Sequence, residues 1–183
     1  QKHLLRLSSL ILFKASLDER SEIVKNYLGV MLDCSRNAVM KPNAVKGFID
    51  IIQKMGYNTL MLYTEDTYEV EGEPLFGYLR GRYSINELQE IDNYCQGKGV
   101  ELIPCIQTLA HLKEYLRWNR TPIDKDDVLL VDDERTYELI EHMFATLSEC
   151  FRTRRIHIGM DEAHGLGTGK YADLHGHRPV YDI

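Results

Sequence analysis

Asp161 and Glu162 stand side by side at the end of a short β-branched run, Arg155-Ile156-His157-Ile158-Gly159-Met160. Side chains alternate along a strand, so His157, Gly159 and Asp161 share one face while Ile156 and Ile158 turn into an apolar layer. The strand thus delivers two carboxylates at its C-terminal end, where α/β folds bind their ligands. Paired acids at such a place suit acid/base work on a bound substrate. An Asp-Glu pair also caps many ordinary helices, and Gly165, Gly167 and Gly169 fit a plain loop. Spacing alone leaves both readings open.

The elements that must position this pair are legible as a strand-helix series. Apolar strands are expected at Tyr27–Leu32, Thr59–Tyr63, Val100–Ile106 and Arg155–Gly159, with helices of period near 3.6 between them. In the first helix Val45, Phe48, Ile49, Ile52 and Met55 form one stripe, with Pro42 at its start and Gly56 as a stop. The second opens on Ser84-Ile85-Asn86-Glu87, a capping box, and turns Ile85, Leu88 and Ile91 inward. The third starts near Asp132-Asp133-Glu134, acids that favour a helix N-terminus, and is expected to bury Tyr137, Ile140, Phe144 and Leu147. Alternation of this kind implies parallel strands with right-handed crossovers.

The loops after strands two and three are long, about 64–83 and 107–131, whereas helix-to-strand turns such as Gly56-Tyr57-Asn58 are short. Elaborate loops on one face only fit a TIM (β/α)8 barrel. No GxGxxG follows the first strand, which disfavours a doubly wound dinucleotide fold. Only about four β/α units can be counted, against roughly 250 residues for a whole barrel. The chain starts at Gln1, and Val180–Ile183 reads as the start of a fourth helix. The expectation is therefore an α/β fragment, the first half of a barrel: residues 1–26 a helical lead-in, amphipathic around Leu10-Ile11-Leu12-Phe13, and 27–183 the partial barrel.

Composition narrows the function. With 183 residues and 44% hydrophobic content the chain can bury a core. A net charge of −6 with scattered Lys and Arg argues against nucleic acid. No apolar run approaches the roughly 20 residues of a membrane span. Cys34, Cys95, Cys105 and Cys150 form no CxxC pair, so zinc is not expected. They suit free buried thiols in a reducing compartment, a lean towards the cytoplasm.

His157-Ile158-Gly159-Met160-Asp161-Glu162 resembles the H-x-G-x-D-E signature of glycoside hydrolase family 20, the β-N-acetylhexosaminidases. Leu32-Asp33-Cys34-Ser35-Arg36 is similar to the family's D-x-x-R, Tyr63-Thr64-Glu65-Asp66 to its L-x-D-D, and Ile103-Pro104 with His111 to its I-P-E-x-D-x-P-G-H. The resemblance covers about residues 27–170. A usual retaining glycosidase holds two carboxyls about 5 Å apart across the sugar, which neighbours on one strand end cannot readily do. The resemblance implies a way round this: the substrate's own 2-acetamido oxygen attacks the anomeric carbon. Asp161 would orient that group and stabilise the oxazolinium. Glu162 would act as general acid and then base, its proton favoured by the adjacent carboxylate.

The same resemblance implies that Arg36 binds sugar hydroxyls and that His111, with Glu65 or Asp66, forms a hydrogen-bonded chain steadying Glu162. By strand parity Asp33 either faces the lumen with Gly29 and Met31 or only caps a turn, and His157 lies on the inner face. Trp118, the lone tryptophan, would stack on a sugar or anchor its loop. The implied partner is a glycan carrying terminal β-linked N-acetylhexosamine, and no cofactor or metal is called for.

Departures from the family pattern are plain. Cys105 stands where the family has Glu, Gln107 where it has Asp, Ala110 where it has Gly, and Glu65 where it has Asp. Residues expected from strands five to eight are missing, so the 183-residue piece alone is expected to be inactive. A silent carbohydrate-binding half-barrel and a different, metal-dependent barrel hydrolase are the competing readings.

Overall fold

The computed structural model describes residues 27–36 and 39–183. The expected lead-in at 1–26 lies outside the described residues. Three parallel strands, β1 (Gly29–Asp33), β2 (Thr59–Glu65) and β3 (Glu101–Ile106), lie side by side in that order. Helices α1 (Pro42–Lys54) and α2 (Ile85–Gly97) form the crossovers. The register puts Asp33 beside Tyr63, Tyr63 beside Cys105, and Cys105 beside His157 through an isolated parallel bridge. One row of side chains from four successive segments therefore shares a level.

The run expected as a fourth strand, 155–159, is extended but pairs at one bridge only. The amide of Ile106 donates to His157 O at 2.9 Å, His157 N donates to Pro104 O at 2.9 Å, and Thr108 N donates to Gly159 O at 3.2 Å. Gly159, which accepts the last of these bonds, has a left-handed φ of +51°.

Local chemistry accounts for the helix boundaries. Pro42 opens α1, where its missing N–H costs nothing. Ser84 and Glu87 form the complete capping box of α2: Glu87 N donates to Ser84 Oγ at 3.2 Å and Ser84 N donates to Glu87 Oε2 at 2.8 Å. Helix α4 (Glu134–Cys150) is capped by Asp133, whose carboxylate accepts from Arg135 N.

Leu60, Leu62, Leu102 and Ile106 project from the outer face of the sheet. They pack with Val45, Ile49 and Ile52 of α1, Leu88, Ile91 and Cys95 of α2, and Leu139, Met143 and Leu147 of α4. Three expectations need correction. Met55, expected in the α1 stripe, is exposed, because it lies past the end of the helix. In α4 the buried positions are Thr136, Leu139, Met143, Thr146, Leu147 and Cys150, while Tyr137 and Phe144 are exposed. The last residues, Val180–Asp182, make a single 3-10 turn. The helix comes earlier, as α5 (Lys170–His175), and ends at Gly176 with φ +76°.

The long loop after β3 holds elements not expected from sequence: one helical turn, α3 (Lys113–Leu116), and a hairpin of β4 (Ile123–Lys125) and β5 (Val128–Leu129). All four cysteines are free and buried. No helix among the described residues is long and apolar enough to cross a membrane.

Candidate active site

The inner face of the sheet and the ends of its strands bound a cavity of about 430 Å³. Met31 and Asp33 enter from β1, Tyr63 from β2, Cys105 from β3, and His157, Met160 and Asp161 from the fourth segment. Burial pushes the Cys105 thiol up to about 12, so it lines the wall as a neutral group.

Adjacent side chains on a regular strand point to opposite faces. Glu162 escapes this rule because its φ is +53°, in the left-handed region. The turn brings both carboxylates to one imidazole. His111 Nε2 lies 3.8 Å from Asp161 Oδ2 and 3.6 Å from Glu162 Oε2. That nitrogen is buried and has no hydrogen-bond partner, whereas both carboxylates are about two-thirds exposed. Glu65 (φ +46°) and His111 (φ +60°) share the left-handed backbone. Non-glycine residues in that region cost about 1–3 kcal/mol each and gather at functional sites.

Behind Asp161 runs a polar chain. Gln107 Nε2 donates to Asp161 Oδ1 at 3.0 Å and to Tyr63 Oη at 3.1 Å. The Tyr63 hydroxyl donates to Glu65 Oε1 at 3.0 Å, and that oxygen also pairs with the Arg36 guanidinium at 3.1 Å. The Gln107 donor holds the Asp161 carboxyl below its ordinary value; His111 and His157 act the same way against partial burial. Burial raises Glu65 despite opposing pulls from Tyr63, Arg36 and His111, and burial raises the Tyr63 phenol.

The segment after Glu162 is anchored by Asp124 of β4. Its buried carboxylate accepts from the backbone amides of Gly167, Gly169 (3.1 Å) and Tyr171 (2.9 Å). A Cβ at position 169 would sit 2.1 Å from Asp124 O, so glycine lets the two backbones meet. Leu109, Ala110, Val128 and Leu166 fill the space beneath.

Asp33, His157 and Asp161 line this cavity, Glu65 and Arg36 belong to the chain behind Asp161, and His111 and Glu162 join the site through the imidazole that faces both acids. Asp33 is also tied locally, its Oδ1 accepting from Ser35 N at 2.8 Å and Ser35 Oγ at 2.7 Å. Asp66 is placed elsewhere. It is buried against Arg80 at 3.1 Å, which also binds Ser35 O, and burial raises its carboxyl. No hydrogen bond joins His111 to Glu65 or Asp66; the imidazole faces the two acids directly. Trp118 packs edge-on against Tyr78 at 5.6 Å, with Arg117 over its ring at 4.8 Å, and does not line the cavity.

Tyr63 and Gln107 are the site members that sequence reasoning did not single out. Strand parity was the available signal for Tyr63, which shares a row with Asp33 and His157. For Gln107 the signal was its match to a family acid. Among the described residues no group of three His, Cys, Asp or Glu side chains is arranged to hold a metal ion.

Hexosaminidase D of Bos taurus is 27% identical over 66% of this chain and 36% of its own length. A structure of an exo β-N-acetylglucosaminidase from Vibrio harveyi in complex with N-acetylglucosamine superposes with a TM-score of 0.73. It is 18% identical over 86% of this chain and 32% of that one. An N-acetyl-β-hexosaminidase from Streptomyces plicatus in complex with Thio-NAglucal gives a TM-score of 0.67. It is 25% identical over 75% of this chain and 33% of that one. The chain thus spans about a third of the length of each. Residues 26–173 match the glycosyl hydrolase family 20 catalytic domain, and the chain belongs to that family.

Proposed function

We propose that this chain is the first half, about four β/α units, of a (β/α)8 barrel in an exo-acting β-N-acetylhexosaminidase. The intact enzyme removes terminal β-linked N-acetylhexosamine from glycans with retention of configuration and with help from the substrate's own amide. One observation carries the reading: Asp161 and Glu162 converge on the same imidazole nitrogen, 3.8 and 3.6 Å away. Two carboxylates gathered at one spot are poorly placed to approach an anomeric carbon from opposite faces, as a usual retaining pair does.

The nucleophile is therefore assigned to the 2-acetamido oxygen. Asp161, held ionised by its donors, accepts from the acetamido N–H and balances the charge of the oxazolinium as it forms. Glu162 protonates the leaving oxygen and later takes a proton from water. His111 and His157 favour the anion of Asp161. Arg36, fixed by Glu65, presents its remaining donors to sugar hydroxyls.

In the full-length enzyme, Glu162→Gln lowers turnover by about 10²–10⁴-fold on substrates with poor leaving groups, and far less on an activated aryl glycoside. Near-wild-type turnover of the poor substrate removes Glu162 from the acid role. A thiazoline that mimics the oxazolinium competes with substrate; absence of inhibition points to a nucleophile supplied by the protein.

A further inference from the structure

Gln107 is fully buried, lies outside the cavity wall, and yet makes the first contact to Asp161. Its amide orientation is fixed by its partners. Both hydrogens of Nε2 are used, one on Asp161 Oδ1 and one on Tyr63 Oη, while Oε1 is buried without a partner. Reversing the amide would set Oε1 against the Asp161 carboxylate. The tyrosine in turn donates to Glu65, so every hydrogen in the chain from Gln107 to Arg36 has one direction. Gly159 makes this packing possible: a Cβ there would lie 2.6 Å from the Gln107 carboxamide and 2.2 Å from Ile106 O.

We infer that Gln107 is a positioning residue that makes Asp161 a permanent acceptor, tying Oδ1 to the protein and leaving Oδ2 for the substrate amide. The inference rests on the substrate-assisted reading and adds to it a charge argument. A carboxylic acid at position 107 would have to share a proton with Asp161 and would lose its donor function when ionised. A carboxamide donates at every pH and adds no negative charge. The other titratable groups around Asp161 are His111 on the loop after β3, His157 and Glu162 on its own segment, Cys105 on β3, Tyr63 and Glu65 on β2, and Asp33 on β1 across the cavity. Of these, His111 and His157 act in the same sense as Gln107, favouring the anion.

The test compares the pH profiles of wild type and Gln107→Glu in the full-length enzyme, with an aryl N-acetyl-β-hexosaminide as substrate. The ratio of variant to wild-type kcat/KM cancels the titration of Glu162. We expect that ratio to fall at least about tenfold between about pH 5 and about pH 8, as the introduced acid loses its proton. A purely structural role would lower activity by the same factor at every pH, and a flat ratio overturns the inference. If Gln107→Glu does not accumulate folded, Gln107→Met replaces it. Without a donor, Asp161 protonates more easily and the acid limb of kcat/KM moves up by about one pH unit. An unmoved limb overturns the inference in that arm. A wild-type enzyme that releases no N-acetylhexosamine at any pH refutes the functional reading instead, so the two failures are distinct.

Discussion

Two neighbouring carboxylates face one imidazole because a single backbone torsion breaks the strand's alternation. At Glu162 that torsion is left-handed; three residues earlier Gly159 has a similar one with a different purpose. Gly159 is buried, and the space its missing Cβ leaves is occupied by Ile106 O and the Gln107 carboxamide. Gly159→Ala must push one of these away and hold φ near +51° with a side chain in place. A shift of about 1 Å in a positioning group costs on the order of 10²-fold in rate. We expect Gly159→Ala to lower kcat about that much in the fraction that folds, with a reduced melting temperature. Equal kcat for the folded variant would show that Gln107 accommodates the methyl without letting go of Asp161.

The elements show which signals were local. Pro42 and the Ser84–Glu87 box mark helix starts that the structure keeps, because capping is settled within four residues of sequence. The strands β1, β2 and β3 fall close to their expected places for a similar reason: each is an apolar run bounded by turn residues. The face of α4 was read wrongly because Tyr137 and Phe144 are large and apolar, whereas the true inner stripe contains two threonines. Thr136 buries its hydroxyl by donating to Leu130 O at 2.8 Å, and Thr146 by accepting from Glu71 N at 2.9 Å. Those partners lie on loops, so no helical periodicity reveals them. The hairpin of β4 and β5 has three and two residues, too short to show an alternating pattern. At the site, the acids, His111 and Arg36 were legible from motifs. The path from Arg36 through Glu65, Tyr63 and Gln107 to Asp161 was not, since it joins four separate stretches of chain and exists only once the strands are in register.

At the scale of the whole molecule, the long loops on the site face are joined by one buried carboxylate. Glu73 belongs to the loop after β2 and is only 3% exposed. It accepts from Arg135 and pairs with His142 Nδ1 at 3.0 Å, both on α4, and from Tyr115 Oη at 3.0 Å on α3. Tyr115 extends the link to Thr121, at 3.1 Å in the loop that leads to β4. Burial alone would raise the Glu73 carboxyl, but the hydrogen bonds from Arg135, His142 and Tyr115 outweigh it and leave it below the ordinary value. Such a group contributes stability at pH above its unfolded value of about 4.3 and loses that contribution as pH falls through the lower folded value. Glu73→Ala leaves Arg135 without its main partner and should cost about 3 kcal/mol at neutral pH, read as a lower urea midpoint. The gap between variant and wild type should narrow as pH falls through the glutamate range, because the wild type surrenders the same contribution. A gap that stays constant into acid would mean that Glu73 stabilises the loops by packing and not by charge.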